Sequence, residues 1–217
     1  MPQIIGIIMR PDLNASGKDV SIIYDRVRES ILKAGGVPIG IVPPSELVQK
    51  KLSEEEIQTL YQTLDLCDGF ICQGGDDFYD YDQWVVRYCY DKDKPLLGIC
   101  LGMQNIASFF GGTLVQNKTG VEHMLLNQEY AHSVVFDPDS KLASIFQTTK
   151  LKVNSFHHEM IVDQPISNCK IVGYSDDGIV EAVEVENKKF IIGVQWHPER
   201  LPEQLCLFEA LIACTKE

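Results

Sequence analysis

Short uncharged apolar runs recur along the chain, separated by segments whose apolar residues fall three or four positions apart. Ile4 to Met9, Val37 to Val42, Gly69 to Cys72 and Pro95 to Ile99 read as buried strands. Between the first two, Arg10-Pro11-Asp12 reads as a loop. Asp19 to Ala34 then carries Ile23, Val27 and Ile31 at helical spacing and stops at Gly35-Gly36. Ser53 with Glu56 has the form of a capping box, ahead of the apolar stripe Ile57, Leu60 and Leu64. A further helix carries Val85, Val86 and Tyr88, and Gln104 to Phe110 reads as another, closed by Gly111-Gly112. Alternation of this kind predicts a parallel sheet covered on both faces, with its site at the carboxyl ends of the strands.

The second half changes character. Gly112 to Gln116 reads as a strand, and Lys118 to Glu129 is a polar connection that fits no element. His132 to Phe136 alternates, and Leu151 to Ser155 is extended. Ile171 to Tyr174, Ile179 to Val185 and Lys189 to Val194 follow as a meander joined by Ser175-Asp176-Asp177-Gly178 and Glu186-Asn187-Lys188. Leu205, Leu207, Phe208, Leu211 and Ile212 mark a last helix.

Composition narrows the function classes. With 217 residues, 45% of them apolar, there is chain enough for one sizeable core, and residues 1–217 read as a single domain. A net charge of −12 argues against a nucleic-acid or anionic-membrane partner, since phosphate binding needs clustered Lys and Arg. The seven cysteines are odd in number and lack metal-ligand spacing. With no leader-like opening, they point to a reducing cytoplasm. No run approaches the length of a membrane span.

Candidate chemistry sits in two places. Gly98-Ile99-Cys100-Leu101-Gly102 puts Cys100 in the turn from a strand to a helix, where flanking glycines permit a sharp reversal. Free N–H groups at the helix start favour a thiolate and can hold an oxyanion. Downstream by 97 residues, His197-Pro198-Glu199 follows an apolar strand. Residues two apart in extended chain share a side, so Glu199 can orient His197 while His197 faces the thiol. Nucleophile, base and orienting acid suit acyl transfer. Gln73-Gly74-Gly75 ends another strand on the same side of the predicted sheet.

Together the elbow and His-Pro-Glu resemble the class I glutamine amidotransferase superfamily, over essentially the whole chain. Val153-Asn154-Ser155-Phe156-His157-His158 is similar to its gamma-glutamyl hydrolase branch. The resemblance implies an α/β three-layer sandwich, flavodoxin-like, with a mostly parallel central sheet, a nucleophile elbow and a C-terminal antiparallel extension. It implies Cys100, His197 and Glu199 as the catalytic set, with the backbone of Gly75 and Leu101 as the oxyanion hole. Gln104, Ser155 and His157 contact substrate, and neither metal nor organic cofactor is required. Adjacent histidines 157 and 158 point in opposite directions in extended chain, which argues against a metal held by both. His132 is read as structural, and His158 is given no role.

The expected reaction is hydrolysis of a small gamma-glutamyl amide through a thioester. The alternatives are a glutaminase subunit feeding ammonia to a separate synthase partner, and a non-catalytic binding protein. Relatives carry a longer stretch after the glycine loop, with an Arg-Asp pair and a Glu that reach substrate. Here only residues 78–84, Phe-Tyr-Asp-Tyr-Asp-Gln-Trp, precede the helix, and Tyr81 or Trp84 is expected to line a pocket or a homodimer contact.

Overall fold

The computed structural model describes residues 2–44, 51–116, 123–125 and 128–216. Most of the polar connection from Lys118 to Glu129 lies outside them. In chain order the elements are β1 (Ile4–Ile8), β2 (Arg10–Leu13), β3 (Asp19–Ile22), α1 (Asp25–Lys33), β4 (Val37–Ile41), α2 (Glu54–Leu64) and β5 (Gly69–Cys72). Then come α3 (Asp80–Lys92), β6 (Leu96–Ile99), α4 (Leu101–Phe109), β7 (Leu114–Gln116), β8 (His132–Phe136) and α5 (Lys141–Phe146). The chain closes with β9 (Lys150–Val153), β10 (Glu159–Ile161), β11 (Cys169–Ser175), β12 (Val180–Val185), β13 (Ile191–Val194) and α6 (Leu205–Cys214).

Among the described residues, nine strands form one sheet in the order β4-β1-β5-β6-β13-β12-β11-β8-β9. From β4 to β13 every neighbouring pair is parallel; from β13 to β9 every pair is antiparallel. The mostly parallel sheet with an antiparallel C-terminal extension is thus the observed architecture. β1, β5, β6 and β13 are almost wholly apolar because both faces are covered. One core layer, under α1 and α6, gathers Ile5, Val27, Ile31, Leu97, Val194 and Phe208; the layer across the sheet gathers Leu60, Phe70, Val85, Leu96, Met103 and Ile191.

Two elements depart from the sequence reading. Arg10-Pro11-Asp12 is not loop but β2, and Asp19–Ile22 is not helix but β3, the two pairing antiparallel as a small ribbon. Asp19-Val20-Ser21-Ile22 alternates, and that local pattern prevails over the helical spacing, which begins only after Tyr24. The capping box of α2 is present as read, Ser53 Oγ accepting from the Glu56 amide at 3.3 Å and Glu56 Oε2 from the Ser53 amide at 2.7 Å.

The ribbon brings Arg10 into the interior, which the sequence did not reveal. Its guanidinium lies 2.6 Å from Asp82 on α3, with side chains 5% and 0% exposed, and donates to the Asp77 carbonyl as well. Burial pushes the Asp82 carboxyl up, and the Arg10 charge only partly offsets it. Such a pair adds little net stability, yet either member left alone is a bare buried charge. Asp82→Ala is therefore expected to cost about 3–5 kcal/mol in chemical denaturation, and the double variant Arg10→Met with Asp82→Ala to recover much of it.

Candidate active site

β6 and β13 are neighbours in the sheet, with Ile99 opposite Val194. One step on, the Cys100 amide donates to the Val194 carbonyl at 2.8 Å. The strand carrying the thiol is thereby tied to the strand that delivers the imidazole. Cys100 itself has φ 52° and ψ −105°, a backbone state that L residues rarely adopt and that costs on the order of 1–3 kcal/mol. Close glycine contacts hold it there. A Cβ on Gly98 would meet the Gly102 carbonyl carbon and oxygen at 2.6 Å, and one on Gly102 would meet the Cys72 carbonyl oxygen at 2.1 Å. Gly102→Ala must push β5 away from α4; it is expected to destabilise by at least about 1–3 kcal/mol and to misplace the thiol, read as a lowered denaturation midpoint.

His197 and Glu199 meet as expected, Nδ1 to Oε1 at 2.7 Å, but by a different backbone route. Pro198–Arg200 is a 3₁₀ turn rather than extended chain, and the turn folds the carboxylate back onto the ring. Asn154 fixes the backbone at this point: its Nδ2 donates to the His197 carbonyl at 2.8 Å and its Oδ1 accepts from the His197 amide at 2.9 Å. Burial alone would lower the His197 pKa. The Glu199 charge, with hydrogen bonds to Cys100 and Glu199, outweighs burial and lifts it to about 10. At neutral pH the ring carries its proton. The chain at Gly74 packs against the imidazole so closely that a Cβ there would sit 2.9 Å from Cε1 and 3.7 Å from Cys100 Cβ.

Two cavities border Cys100 and share Gly75, Asp76, Met124 and Phe156. One, of about 290 Å³, is lined further by Gln104, Gln116, His157, His158 and Glu159. The other, of about 390 Å³, is lined by Tyr24, Asp25, Arg26, Gly74, His197, Glu199 and Arg200. Gly75 and the first amide of α4, Leu101, flank the elbow. The Leu101 amide stands at a position without an intrahelical acceptor, and among the described residues Gly75 donates to no protein group.

Of the residues expected at substrate, Gln104 and His157 line the first cavity. Ser155 does not: it is fully buried behind that wall, its hydroxyl 3.0 Å from His123 Nδ1. The aromatic segment also differs from expectation. Tyr81 is buried and donates to the Met9 carbonyl at 2.7 Å, while Trp84 donates to Asp80 at 3.0 Å and packs edge-on to Tyr61. Phe78 and Tyr79 line a third cavity instead, one that shares Asp76 and Glu159 with the first.

Gln195, which sequence reasoning missed, is fully buried between the two strands' ends. Its Nε2 donates to Cys100 Sγ at 3.5 Å and its Oε1 accepts from Gln104 Nε2 at 3.2 Å. Asn154 was missed as well, although it stands in the quoted Val153-to-His158 stretch. Its signal is that a buried amide beside a strand end needs partners.

A model of the peptidase C26 family matches residues 79–199. A protein of Schizosaccharomyces pombe that bears the name putative glutamine amidotransferase is 31% identical, over 87% of this chain and 80% of its own. The gamma-glutamyl-gamma-aminobutyrate hydrolase PuuD of Escherichia coli is 26% identical, over 90% of this chain and 85% of its own. Among solved structures, the glutaminase domain of Trypanosoma brucei CTPS with bound acivicin superposes with a TM-score of 0.68 at 17% identity, covering 97% of this chain and 94% of that one. That last likeness speaks to the fold alone.

Proposed function

This chain belongs to the peptidase C26 family, in the gamma-glutamyl hydrolase branch of the class I glutamine amidotransferase-like superfamily, and from that premise we propose that it hydrolyses the gamma-glutamyl amide bond of a small conjugate. The observation that supports the reading most is the grouping at one opening of Cys100 on its strained elbow and the His197–Glu199 pair.

In the proposed reaction Cys100, its proton already held by His197, attacks the side-chain amide carbonyl through sulfur as the amide π bond opens onto oxygen. The oxyanion that forms is held by the amides of Gly75 and Leu101, at roughly 3 kcal/mol per donor in comparable sites. His197, protonated and oriented by Glu199, gives its proton to the departing amine nitrogen as the C–N bond breaks. The amine therefore leaves on the His197 side, through the cavity bounded by Tyr24, Arg26 and Arg200. The gamma-glutamyl half remains as a thioester on the Gln104 and His157 side. Water, losing its proton to the now neutral imidazole, attacks the thioester carbonyl; the C–S bond breaks, releasing glutamate and the Cys100 thiolate beside the reprotonated His197. Gln195 holds the sulfur and Gln104 in register through its one amide group.

Purified protein incubated with gamma-glutamyl amines, gamma-glutamyl peptides and glutamine, with glutamate measured, tests the proposal. The expected result is release of glutamate from at least one conjugate in preference to glutamine. Turnover confined to glutamine, and only with an added synthase, supports the ammonia-donating alternative and overturns the hydrolase reading.

A further inference from the structure

Behind the wall of the first cavity, three histidines converge on one fully buried carboxylate. Glu181 projects from β12 with 0% exposure. His157 Nε2 lies 3.6 Å from its Oε1, His123 Nδ1 3.9 Å, and His132 Nε2 3.1 Å. Among the described residues, His132 Nε2, His157 Nε2 and both Glu181 oxygens are buried without a hydrogen-bond partner. We propose that His123, His157 and Glu181 bind a divalent transition-metal ion of the zinc class, through His123 Nδ1, His157 Nε2 and a Glu181 oxygen.

Two observations carry this. The rings are turned for it: His157 Nδ1 donates to the Glu159 carbonyl at 3.0 Å, which turns Nε2 toward the carboxylate. His123 Nε2 is held by Asp177 at 3.1 Å, which leaves Nδ1 as the acceptor facing Ser155 Oγ and Glu181. Outer contacts of this kind orient histidines toward metals.

The spacing fits as well. Tetrahedral ligands at about 2.0–2.1 Å from zinc stand about 3.3 Å from one another. The 3.6 and 3.9 Å separations close on such an ion with shifts of a few tenths of an ångström, and the three ligand atoms lie within 4.8 Å of one another. Two imidazoles and a carboxylate suit zinc better than calcium or magnesium.

Protein dialysed against a chelator is titrated with Co²⁺, and with Zn²⁺ in competition with a chromophoric indicator. The expected result is one equivalent per chain, with visible bands of a nitrogen–oxygen site, no thiolate charge-transfer band, and a Tm that rises with free Zn²⁺. Glu181→Gln is expected to bind at least about 10-fold more weakly. Should that variant not fold, Asp177→Asn, which alters only the outer contact to His123, is expected to weaken binding by about 10–100-fold. Absence of stoichiometric binding by the wild-type chain at micromolar free Zn²⁺, a thiolate spectrum, or unchanged affinity in the variants overturns the site. None of these readouts uses turnover, so the result is independent of the proposed hydrolase activity.

Discussion

Cys100→Ala is expected to lower glutamate release from gamma-glutamyl amides by at least about 10⁴-fold while leaving the protein folded. The size of the loss follows from the role proposed for the sulfur: without it there is no thioester, and the oxyanion donors and binding alone remain. Retention of the fold follows from the backbone. Alanine keeps the Cβ, so the positive-φ turn is as strained as before, and the substitution removes only the sulfur's hydrogen bonds with Gln195 and His197. Cys100→Gly is expected to be as inactive and more stable than Cys100→Ala by about 1–2 kcal/mol, because glycine adopts positive φ without penalty. Thermal melts and a glutamate assay on both variants check this. Activity in either variant within 10-fold of wild type excludes the nucleophile.

Glu199→Gln is expected to lower kcat by about 10²–10⁴-fold and to move the alkaline limb of the pH profile toward neutrality by about 1–3 units. Glutamine keeps the size of the side chain and removes the charge that holds the imidazolium. In the wild-type protein His197 is lifted to about 10 from an ordinary 6.5, so the ring stays a competent acid until the pH approaches 10. The same shift has a consequence for stability, and its sign is fixed. A histidine whose folded pKa is raised contributes stability that is fully present below about 6.5 and is lost as pH rises through about 10. Denaturation midpoints measured at pH 6 and pH 10 should therefore fall more steeply for wild type than for Glu199→Gln. Parallel curves, or an unmoved alkaline limb, show that Glu199 does not set the charge of His197.

What could be read in the chain beforehand was what is local. The elbow is a five-residue pattern, His-Pro-Glu is contiguous, and the apolar runs of the parallel strands are long enough to stand out. Two short elements of the second half were not visible. α5 has six residues, starts at a Ser140 cap whose Oγ accepts from the Ala143 amide, and lacks the length to show a period; β10 has three. Partnerships over long separations were not visible either. Gln195 and Gln104 are 91 residues apart, Arg10 and Asp82 are 72, and an amide or guanidinium has no pattern along the sequence that announces its mate. Glu181 stands in Val-Glu-Ala-Val-Glu-Val, where two carboxylates three positions apart give no sign of which way either faces. Only the third dimension shows that every residue of β12 is buried, so that its first carboxylate faces histidines instead of water.

The pairing of Ile99 with Val194 has a bearing on how this chain tolerates change in length. A strand advances about 3.3 Å per residue and turns its side chains over at each step, so one residue inserted or deleted within 96–100 or 191–197 drags the imidazole off the sulfur and points it to the wrong face. In the long excursion between those two short windows, the loops other than the one carrying Asn154 bear no such constraint. They are free to lengthen or shorten, and substrate preference can be rebuilt in them while the frame that aligns sulfur and ring stays fixed.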